Sequence, residues 1–398
     1  MLKLPEKSLA LGTTRNIMRE IFEYGKLRSA EVGAENVFDY SLGNPSVPAP
    51  LCVNDMINEL LSGNEASSIH AYTSAQGDLR NREALASSLM RRFGGNVSPS
   101  DIYFTVGAAA SLTCTFHGLT VEGDEYVLLA PFFSEYKVFI EGAGGKIVVT
   151  PPNFENFMPD FKAIENAINE NTKGIVINSP NNPSGVVYDE ETIKELASLL
   201  DKKSKEYNHP IFLITDEPYR ELVFEGVKAP WVPSFYDNTI VCYSYSKSLS
   251  IPGERIGYIF VPETVEDHDK VYASICGAGR KLGFVNAPAL FQRVAALCDG
   301  ETADVSVYEH NAKLLYSSLT KMGFECIKPG GTFYLLIKAP IPDANEFCLK
   351  AREFDLLIVP TDSFMCPGYV RIAHCVPTER IERSMQAFEK LAKYYFQS

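Results

Sequence analysis

The chain has 398 residues, of which 45% are hydrophobic and 22% are charged, a length that suggests about two or three globular domains. Its formal net charge of -13 argues against a nucleic-acid backbone as a partner, and no run of lysine and arginine suggests an anionic membrane surface. No stretch is apolar and long enough to form the core of a signal peptide or to span a bilayer.

Residues 1–48 are predicted to form an N-terminal segment that packs on a small C-terminal domain. Glycine and proline occur near the end of this segment, as in Gly43-Asn44-Pro45, and such residues are typical of a boundary between structural units. The main domain is therefore expected to begin near residue 49.

Residues 49–295 are predicted to form a large α/β domain. Short apolar runs in its middle lack the polar alternation of a half-exposed strand, which favours strands covered on both faces. Helical patterns separate several of these runs, at residues 107–119, 161–169 and 190–203. Alternating strands and helices of this kind predict a mostly parallel sheet. The predicted strands lie at residues 126–129, 147–150, 175–178, 211–215, 239–243 and 256–261.

Residues 296–398 show a different order of elements. Helices are predicted at residues 305–321, 344–354 and 378–395, and strands at residues 332–337, 356–359 and 369–373. This order predicts a smaller α+β domain, to which both chain ends contribute.

Polar residues follow several strands of the large domain. In open parallel sheets, ligands bind beyond the carboxyl ends of the strands. Asn182-Pro183-Ser184-Gly185 follows one strand, and Asp216-Glu217-Pro218-Tyr219 follows another. Gly107-Ala108-Ala109 lies between the short run at residues 104–106 and a predicted helix, where backbone N–H groups and the helix dipole can bind an anion. Taken singly, each of these segments also fits an ordinary turn or helix start.

The segment Ser244-Tyr245-Ser246-Lys247-Ser248 directly follows the predicted strand at residues 239–243, and Arg255 comes eight residues after the lysine. A lysine just beyond a core strand can form an imine with an aldehyde, while hydroxyl groups and an arginine can hold a phosphate. These are the requirements of a pyridoxal phosphate site. By itself the motif is also compatible with a surface lysine in a loop.

Together these motifs resemble the class I/II aminotransferases, a pyridoxal phosphate family of fold type I. The resemblance extends from Gly43-Asn44-Pro45 to Val370-Arg371-Ile372-Ala373, and the Ser-x-Ser-Lys segment followed by Arg255-Ile256-Gly257-Tyr258 is its most specific part. It implies an α/β fold whose large domain has a mostly parallel seven-stranded sheet flanked by helices, plus a smaller α+β domain.

The resemblance also implies roles for the residues at the predicted strand ends. Lys247 corresponds to the Schiff-base lysine, which moves a proton between the substrate Cα and the cofactor. Asp216 corresponds to the carboxylate that pairs with the pyridine nitrogen, and such a pair favours a protonated ring by roughly 1–3 pKa units. Asn182 and Tyr219 correspond to the groups that bind the cofactor O3′. We therefore expect Lys247, Asp216 and Tyr219 to be the catalytic residues.

The remaining cofactor contacts follow in the same way. Phe133 corresponds to the aromatic residue stacked on the cofactor ring, and its neighbour Phe132 is the better candidate for the core. Tyr72 corresponds to a tyrosine that reaches the phosphate of the neighbouring subunit, which implies a homodimer with shared sites. The resemblance places the phosphate on Ala108, Ala109, Ser244, Ser246 and Arg255, with only backbone N–H groups available at the two alanines.

Arg371 corresponds to the arginine whose planar fork binds the substrate α-carboxylate. Gly43 and Asn182 are further expected substrate contacts. Arg280 lies roughly where dicarboxylate-specific members have a second arginine, donated by the partner subunit. A surface or subunit-interface arginine is the simpler explanation of Arg280, so its role stays open.

Nine cysteines occur in the chain without a C-x-x-C pair. Their odd number and irregular spacing argue against a disulfide framework and against a cysteine-ligated metal. A protein of the reducing cytoplasm without a metal site is therefore expected.

The predicted activity is ping-pong transfer of an amino group between an amino acid, aspartate-like or aromatic, and a 2-oxo acid such as 2-oxoglutarate. A C–S β-lyase is the alternative enzyme, because the same lysine and aspartate serve elimination. A non-catalytic ligand-sensing domain is a third interpretation, against which the chain carries no helix-turn-helix or basic DNA-binding segment.

Overall fold

The computed structural model describes residues 4–13, 17–63 and 67–396. The strands in these ranges are β1 (Phe38–Asp39), β2 (Ile102–Thr105), β3 (Glu125–Leu129), β4 (Lys146–Thr150), β5 (Thr172–Asn178), β6 (Phe212–Asp216), β7 (Thr239–Ser244), β8 (Gly257–Phe260), β9 (Tyr334–Lys338), β10 (Leu356–Leu357), β11 (Val359–Pro360) and β12 (Tyr369–Ala373). The helices are α1 (Glu6–Thr13), α2 (Ile17–Val32), α3 (Leu51–Ser62), α4 (Leu79–Phe93), α5 (Ala108–Leu119), α6 (Glu135–Gly142), α7 (Phe161–Ala167), α8 (Glu190–Tyr207), α9 (Tyr245–Ser248), α10 (His268–Leu282), α11 (Ala289–Leu297), α12 (Val305–Lys321), α13 (Ala344–Arg352) and α14 (Thr378–Phe396).

A seven-stranded sheet in the order β2-β8-β7-β6-β5-β3-β4 forms the centre of the large domain. Strands β3 to β7 pair in parallel, which confirms the predicted α/β architecture. Only β8 runs antiparallel to both neighbours, β7 and β2. The short connection from β7 to β8 returns the chain to the same end of the sheet, so that Gly257 pairs with Ser244. This connection contains Lys247 and Arg255.

Alternate residues of the central strands enter different cores. Val127 of β3 packs in a cluster with Ile164 of α7, whereas its neighbour Leu128 packs in a cluster with Leu112 of α5 and Ile275 of α10. Both faces of the sheet are therefore covered by helices, which explains why the strands read as continuous apolar runs. A further cluster joins α3, α4 and α11 to the β2 side of the sheet.

The C-terminal part contains a three-stranded antiparallel sheet in the order β11-β12-β9. Helices α12 and α14 cover it through residues such as Leu315 and Leu391, which share a core with Ile372 of β12. Because β12 is the central strand, Arg371 is carried by a strand that is hydrogen-bonded on both sides. This places the arginine on a rigid support.

The N-terminal segment is attached to the C-terminal part. Strand β1 pairs in parallel with β10, with Phe38 opposite Leu356, and Ile21 of α2 packs with Val359. The single strand predicted at residues 356–359 is wrong in one respect, because it divides at Ile358 into β10 and β11. Its first half bonds to β1 and its second half to β12, so the two halves belong to different sheets. On these contacts we propose residues 1–48, 49–295 and 296–398 as the units of the chain.

No helix within the described ranges has both the length and the hydropathy needed to cross a bilayer. The nine cysteines are all free thiols.

Candidate active site

A cavity of about 290 Å³ lies at the carboxyl ends of β5, β6 and β7, and residues of α2, α5 and β12 complete its wall. It brings together the predicted site residues from Gly43 to Arg371, apart from Tyr72 and Arg280. The lining residues come from distant parts of the chain, and their contacts determine what the cavity can bind.

Lys247 lies in the single-turn helix α9, directly after β7. Its Nζ donates a hydrogen bond to the Gly43 carbonyl oxygen at 2.5 Å and lies 5.2 Å from the centre of the Phe333 ring. Burial lowers the pKa of Lys247 to about 8, with Cys375 acting in the opposite direction and the Arg255 charge lowering it further. A lysine with a lowered pKa releases its proton more readily and becomes a better nucleophile.

Asp216 ends β6 and is only 5% exposed. Its Oδ2 accepts a hydrogen bond from the Tyr136 hydroxyl at 2.5 Å, while its Oδ1 is buried and has no hydrogen-bond partner among the described residues. Burial raises the pKa of Asp216 to about 7, the Tyr136 hydrogen bond lowers it, and the neighbouring Glu217 raises it. A buried, unsatisfied carboxylate oxygen that faces a cavity suits a cationic N–H donor such as a protonated pyridine ring.

The neighbouring carboxylate, Glu217, points away from the cavity. It accepts hydrogen bonds from Thr215 and Arg220, and the Arg220 side chain is also buried. Of the two adjacent acidic residues, only Asp216 lines the cavity. Asp216 therefore faces the cavity, whereas Glu217 is held in a buried ion pair with Arg220.

Arg371 is 2% exposed and reaches the cavity from β12. Its Nη1 donates to Asn182 Oδ1 at 3.0 Å, and its Nη2 donates to the Ser41 carbonyl oxygen at 2.7 Å. Its guanidinium carbon lies 4.4 Å from the centre of the Tyr334 ring. Within the described residues no carboxylate pairs with Arg371. A buried cation without a counter-ion is suited to an anionic ligand.

Asn178 connects the asparagine loop to the neighbouring strand. Its Nδ2 donates to the Asp216 carbonyl oxygen, and its Oδ1 accepts from the Asn182 backbone N–H, both at 2.8 Å. The Tyr219 hydroxyl lies 3.2 Å from the Tyr334 hydroxyl. These contacts hold Asn182 and Tyr219 at the cavity wall.

The opposite end of the cavity suits a phosphate. Helix α5 begins at Ala108 after Gly107, whose φ of 89° is accessible to glycine, and the first N–H groups of a helix have no partner within it. The Ser244 and Ser246 hydroxyls are 2.8 Å apart, and Arg255 Nη1 donates to Ser246 Oγ at 3.3 Å. Hydroxyls, a guanidinium group and a helix N-terminus meet there, which fits the phosphate of the predicted cofactor.

The two adjacent phenylalanines lie in different surroundings. Phe133 lines the cavity, whereas Phe132 is 5% exposed and belongs to the core beneath α5. Phe133 also makes an edge-to-face contact with Tyr136, with the ring centres 5.8 Å apart.

Tyr72 and Arg280 do not line the cavity of their own chain. Tyr72 is 96% exposed, and Arg280 is exposed near the C-terminus of α10. Asn286, which follows α10, donates a hydrogen bond to the Ser74 carbonyl oxygen at 3.1 Å. The segment that contains Tyr72 is therefore bonded to the segment that follows Arg280.

Among the residues that line the cavity, the sequence reasoning missed Met18, Asn178 and Tyr334. It also missed Tyr136, which hydrogen-bonds Asp216 without lining the cavity. Asn178 was detectable in principle, as a polar residue that ends an apolar strand. Met18 enters from α2, where its sulfur lies 3.5 Å from Arg371 Nη2, and Tyr334 belongs to a strand of the smaller domain. No local pattern marks these two or Tyr136, because their roles depend on contacts with distant segments.

Comparison with known proteins shows the family of the chain. The family model described as aminotransferase class I and II matches residues 35–388. The chain is 29% identical over 359 residues to an aspartate aminotransferase of Thermotoga maritima, which covers 89% of this chain and 91% of that protein. It is 29% identical over 359 residues to an aspartate/prephenate aminotransferase of Thermus thermophilus, covering 88% and 89% of the two chains.

Solved structures show the same similarity. The crystal structure of an amino transferase from Eubacterium rectale superposes with a TM-score of 0.97 and 53% identity, and covers 100% of both chains. The aspartate aminotransferase from Thermus thermophilus with maleate superposes with a TM-score of 0.85 and 26% identity, covering 98% of this chain and 100% of that one.

Proposed function

Since the chain belongs to the class I and II aminotransferases and is therefore a pyridoxal phosphate-dependent transaminase, we propose that the cavity of about 290 Å³ is its active site. One observation carries this proposal: three groups line that cavity, namely the Asp216 Oδ1, the Arg371 guanidinium group and Lys247. Within the described ranges, the Asp216 Oδ1 has no hydrogen-bond partner and Arg371 has no carboxylate partner. The three groups offer an acceptor for a ring N–H, a cation for a carboxylate and a nucleophilic amine.

When bound, pyridoxal phosphate supplies an aldehyde carbon that takes up the amino group and a ring that withdraws electrons from the substrate Cα. Lys247 is then the base that removes the Cα proton and later delivers it, because its amine is tethered beside the reacting atoms. Its pKa of about 8 keeps a useful fraction of the amine neutral near physiological pH.

The other residues orient the two reactants. Asp216 would bind the ring nitrogen, Asn182 and Tyr219 would donate hydrogen bonds to the ring oxygen O3′, and Phe133 would stack on the ring. The backbone N–H groups of Ala108 and Ala109, with the side chains of Ser244, Ser246 and Arg255, hold the phosphate. Each hydrogen bond to a charged group contributes about 1.5–3 kcal/mol, so several together retain the cofactor between turnovers.

Arg371 binds the α-carboxylate of the amino acid with its planar fork, assisted by Asn182 and the Gly43 backbone N–H. The preferred substrates are an aspartate-like or aromatic amino acid and a 2-oxo acid such as 2-oxoglutarate. The names of the relatives, which specify aspartate, prephenate and aromatic amino acids, support this choice. For a dicarboxylate substrate, Arg280 of the opposite subunit is the candidate for binding the distal carboxylate, with a surface or interface role as the alternative.

The active unit is proposed to be a cytoplasmic homodimer. An exposed fraction of 96% is unusual for a tyrosine, and supports a role for Tyr72 at the phosphate of the opposite site. The nine free thiols are compatible with a reducing compartment.

A panel of amino donors with 2-oxoglutarate tests the proposal. The bound cofactor is expected to change its visible absorbance on addition of the preferred donor and to recover on addition of 2-oxoglutarate. Formation of the 2-oxo acid of the donor together with glutamate supports transfer. Pyruvate and ammonia from a β-substituted donor, without glutamate, indicate a C–S β-lyase instead, and binding without turnover indicates a ligand sensor.

A further inference from the structure

Among the described residues, only the Tyr136 side chain donates a hydrogen bond to the Asp216 carboxylate, through its hydroxyl group. It donates to Oδ2 at 2.5 Å and leaves Oδ1 without a partner at the cavity. We propose that Tyr136 is a positioning residue that holds Asp216 by one oxygen, so that the other oxygen pairs with the pyridine nitrogen of the cofactor and keeps it protonated. This inference rests on the proposed function, since it requires Asp216 to bind that nitrogen.

Packing fixes the position of the donor. Tyr136 is 1% exposed and lies in the first turn of α6. Its ring contacts Phe133 edge-to-face and lies 6.3 Å from the Phe132 ring centre with a tilt of 15°. A buried side chain between two aromatic rings has few rotamers available, so its hydroxyl stays directed at Asp216. The same tyrosine thereby contacts the residue proposed to stack on the ring.

Other polar groups near Asp216 are engaged elsewhere. Glu217 is paired with Arg220, and the Tyr219 hydroxyl lies against that of Tyr334. The Cys242 sulfur lies 3.5 Å from the Thr115 hydroxyl. Because none of these groups donates to the Asp216 side chain, loss of the Tyr136 hydroxyl leaves the carboxylate without a hydrogen-bond donor in the part of the chain that the structure describes.

The direction of the effect follows from the charges. Burial, followed by the charge of Asp216, raises the pKa of Tyr136 well above its ordinary value, so the phenol remains a proton donor. The Tyr136 hydrogen bond lowers the pKa of Asp216. Without it, the carboxylate becomes more basic, and the proton shared with the ring nitrogen moves toward Asp216. The ring then withdraws electrons less strongly, which slows removal of the Cα proton.

The experiment compares Tyr136→Phe with the wild-type holoenzyme loaded with pyridoxal phosphate that carries ¹⁵N at the ring nitrogen. This variant removes one hydroxyl group and keeps the ring. The ¹⁵N resonance is expected to move toward the value of an unprotonated pyridine, the dissociation constant of the cofactor to rise about 10-fold, and kcat to fall about 10-fold. A ¹⁵N resonance identical to that of the wild type would overturn the proposal.

Tyr126→Phe is the matched control. Tyr126 is also fully buried, and its hydroxyl lies 2.9 Å from that of Thr120, away from the cavity. This variant is expected to lose stability without any change in the ¹⁵N resonance. An equal change in both variants would show a general effect of losing a buried phenol and would also overturn the proposal.

A second probe covers the case in which Tyr136→Phe does not fold. Incorporation of 3-fluorotyrosine at position 136 provides a more acidic donor of nearly the same size. It is expected to move the ¹⁵N resonance in the opposite direction, toward the protonated value, and an unchanged resonance contradicts the inference. Asp216→Asn separates the two levels of argument: if it retains full turnover, the proposed function of Asp216 fails, whatever Tyr136 does.

Discussion

Arg371 donates a hydrogen bond to Asn182 at 3.0 Å, although the two residues lie 189 positions apart in the chain. Asn182 belongs to the loop after a strand of the large sheet, and Arg371 belongs to the central strand of the smaller one. Their contact closes the cavity on the side proposed to bind the substrate. The site therefore exists only when the two parts of the chain pack together.

We expect Arg371→Lys to raise the KM of both the amino acid and the 2-oxo acid about 10- to 100-fold, because lysine cannot reproduce a planar, two-pronged contact with a carboxylate. Both half-reactions are affected, since both substrates carry the α-carboxylate. Steady-state kinetics with each substrate varied in turn measure the change. Arg383→Lys, on the exposed face of α14, is the control. A change confined to one substrate would contradict the assignment.

Replacement of Lys247 by alanine is expected to lower kcat about 10²- to 10⁴-fold, the range that a positioned proton-transfer group contributes. Reduction of the wild-type holoenzyme with borohydride, followed by peptide mass analysis, is expected to place the cofactor on Lys247. Lys202→Ala removes an exposed lysine that pairs with Glu165 and leaves both results unchanged. Cofactor found on another lysine would refute the assignment.

The adjacent acidic residues are expected to respond differently to loss of their charge. Asp216→Asn lowers kcat strongly and leaves stability nearly unchanged. Glu217→Gln leaves Arg220 as an unpaired buried cation, so the free energy of unfolding falls by about 3 kcal/mol while the folded fraction remains active. Chemical denaturation and initial rates separate the two effects. The same loss of kcat in both variants would contradict this division.

The pH dependence of cofactor capture tests the environment of Lys247. Only the neutral amine attacks the aldehyde, and burial lowers the pKa of this lysine to about 8. The rate at which the apoenzyme captures pyridoxal phosphate is expected to rise with pH through about 8 and to level off above it. A rate that continues to rise toward pH 10.5, the ordinary pKa of lysine, would show that the amine is not perturbed. Stopped-flow absorbance measures the rate.

Gly107→Ala tests the phosphate end of the cavity. A Cβ at this position lies 2.6 Å from Arg255 Nη2 and stands on a residue with a φ of 89°. We expect the affinity for pyridoxal phosphate to fall about 10-fold. The added Cβ displaces the arginine, and the combination of a φ of 89° with a ψ of 173° strains alanine by about 1–3 kcal/mol. Gly277→Ala, in α10, meets no atom within 4 Å and serves as the control. Titration of the apoenzymes compares them.

Much of the architecture was predictable because strand and helix periods are local properties. Continuous apolar runs marked strands covered on both faces, and the observed elements at residues 305–321 and 369–373 match the predicted ones. The sequence pattern at residues 356–359 is uniform and therefore predicts a single strand. Its division depends on β1, which lies more than three hundred residues away in sequence.

The sequence by itself determined which groups are available at the strand ends. Lys247 and Asn182 each follow a buried parallel strand, and Asp216 ends another. Parallel strands bring their carboxyl ends to one edge of the sheet. Only the tertiary structure decided which groups face each other there. Tyr136 meets Asp216 across 80 positions, and Tyr334 covers Arg371 from a neighbouring strand. The physical reason is that side-chain periodicity is set by neighbouring residues, whereas hydrogen bonds and ring contacts between distant segments depend on how whole helices and sheets pack.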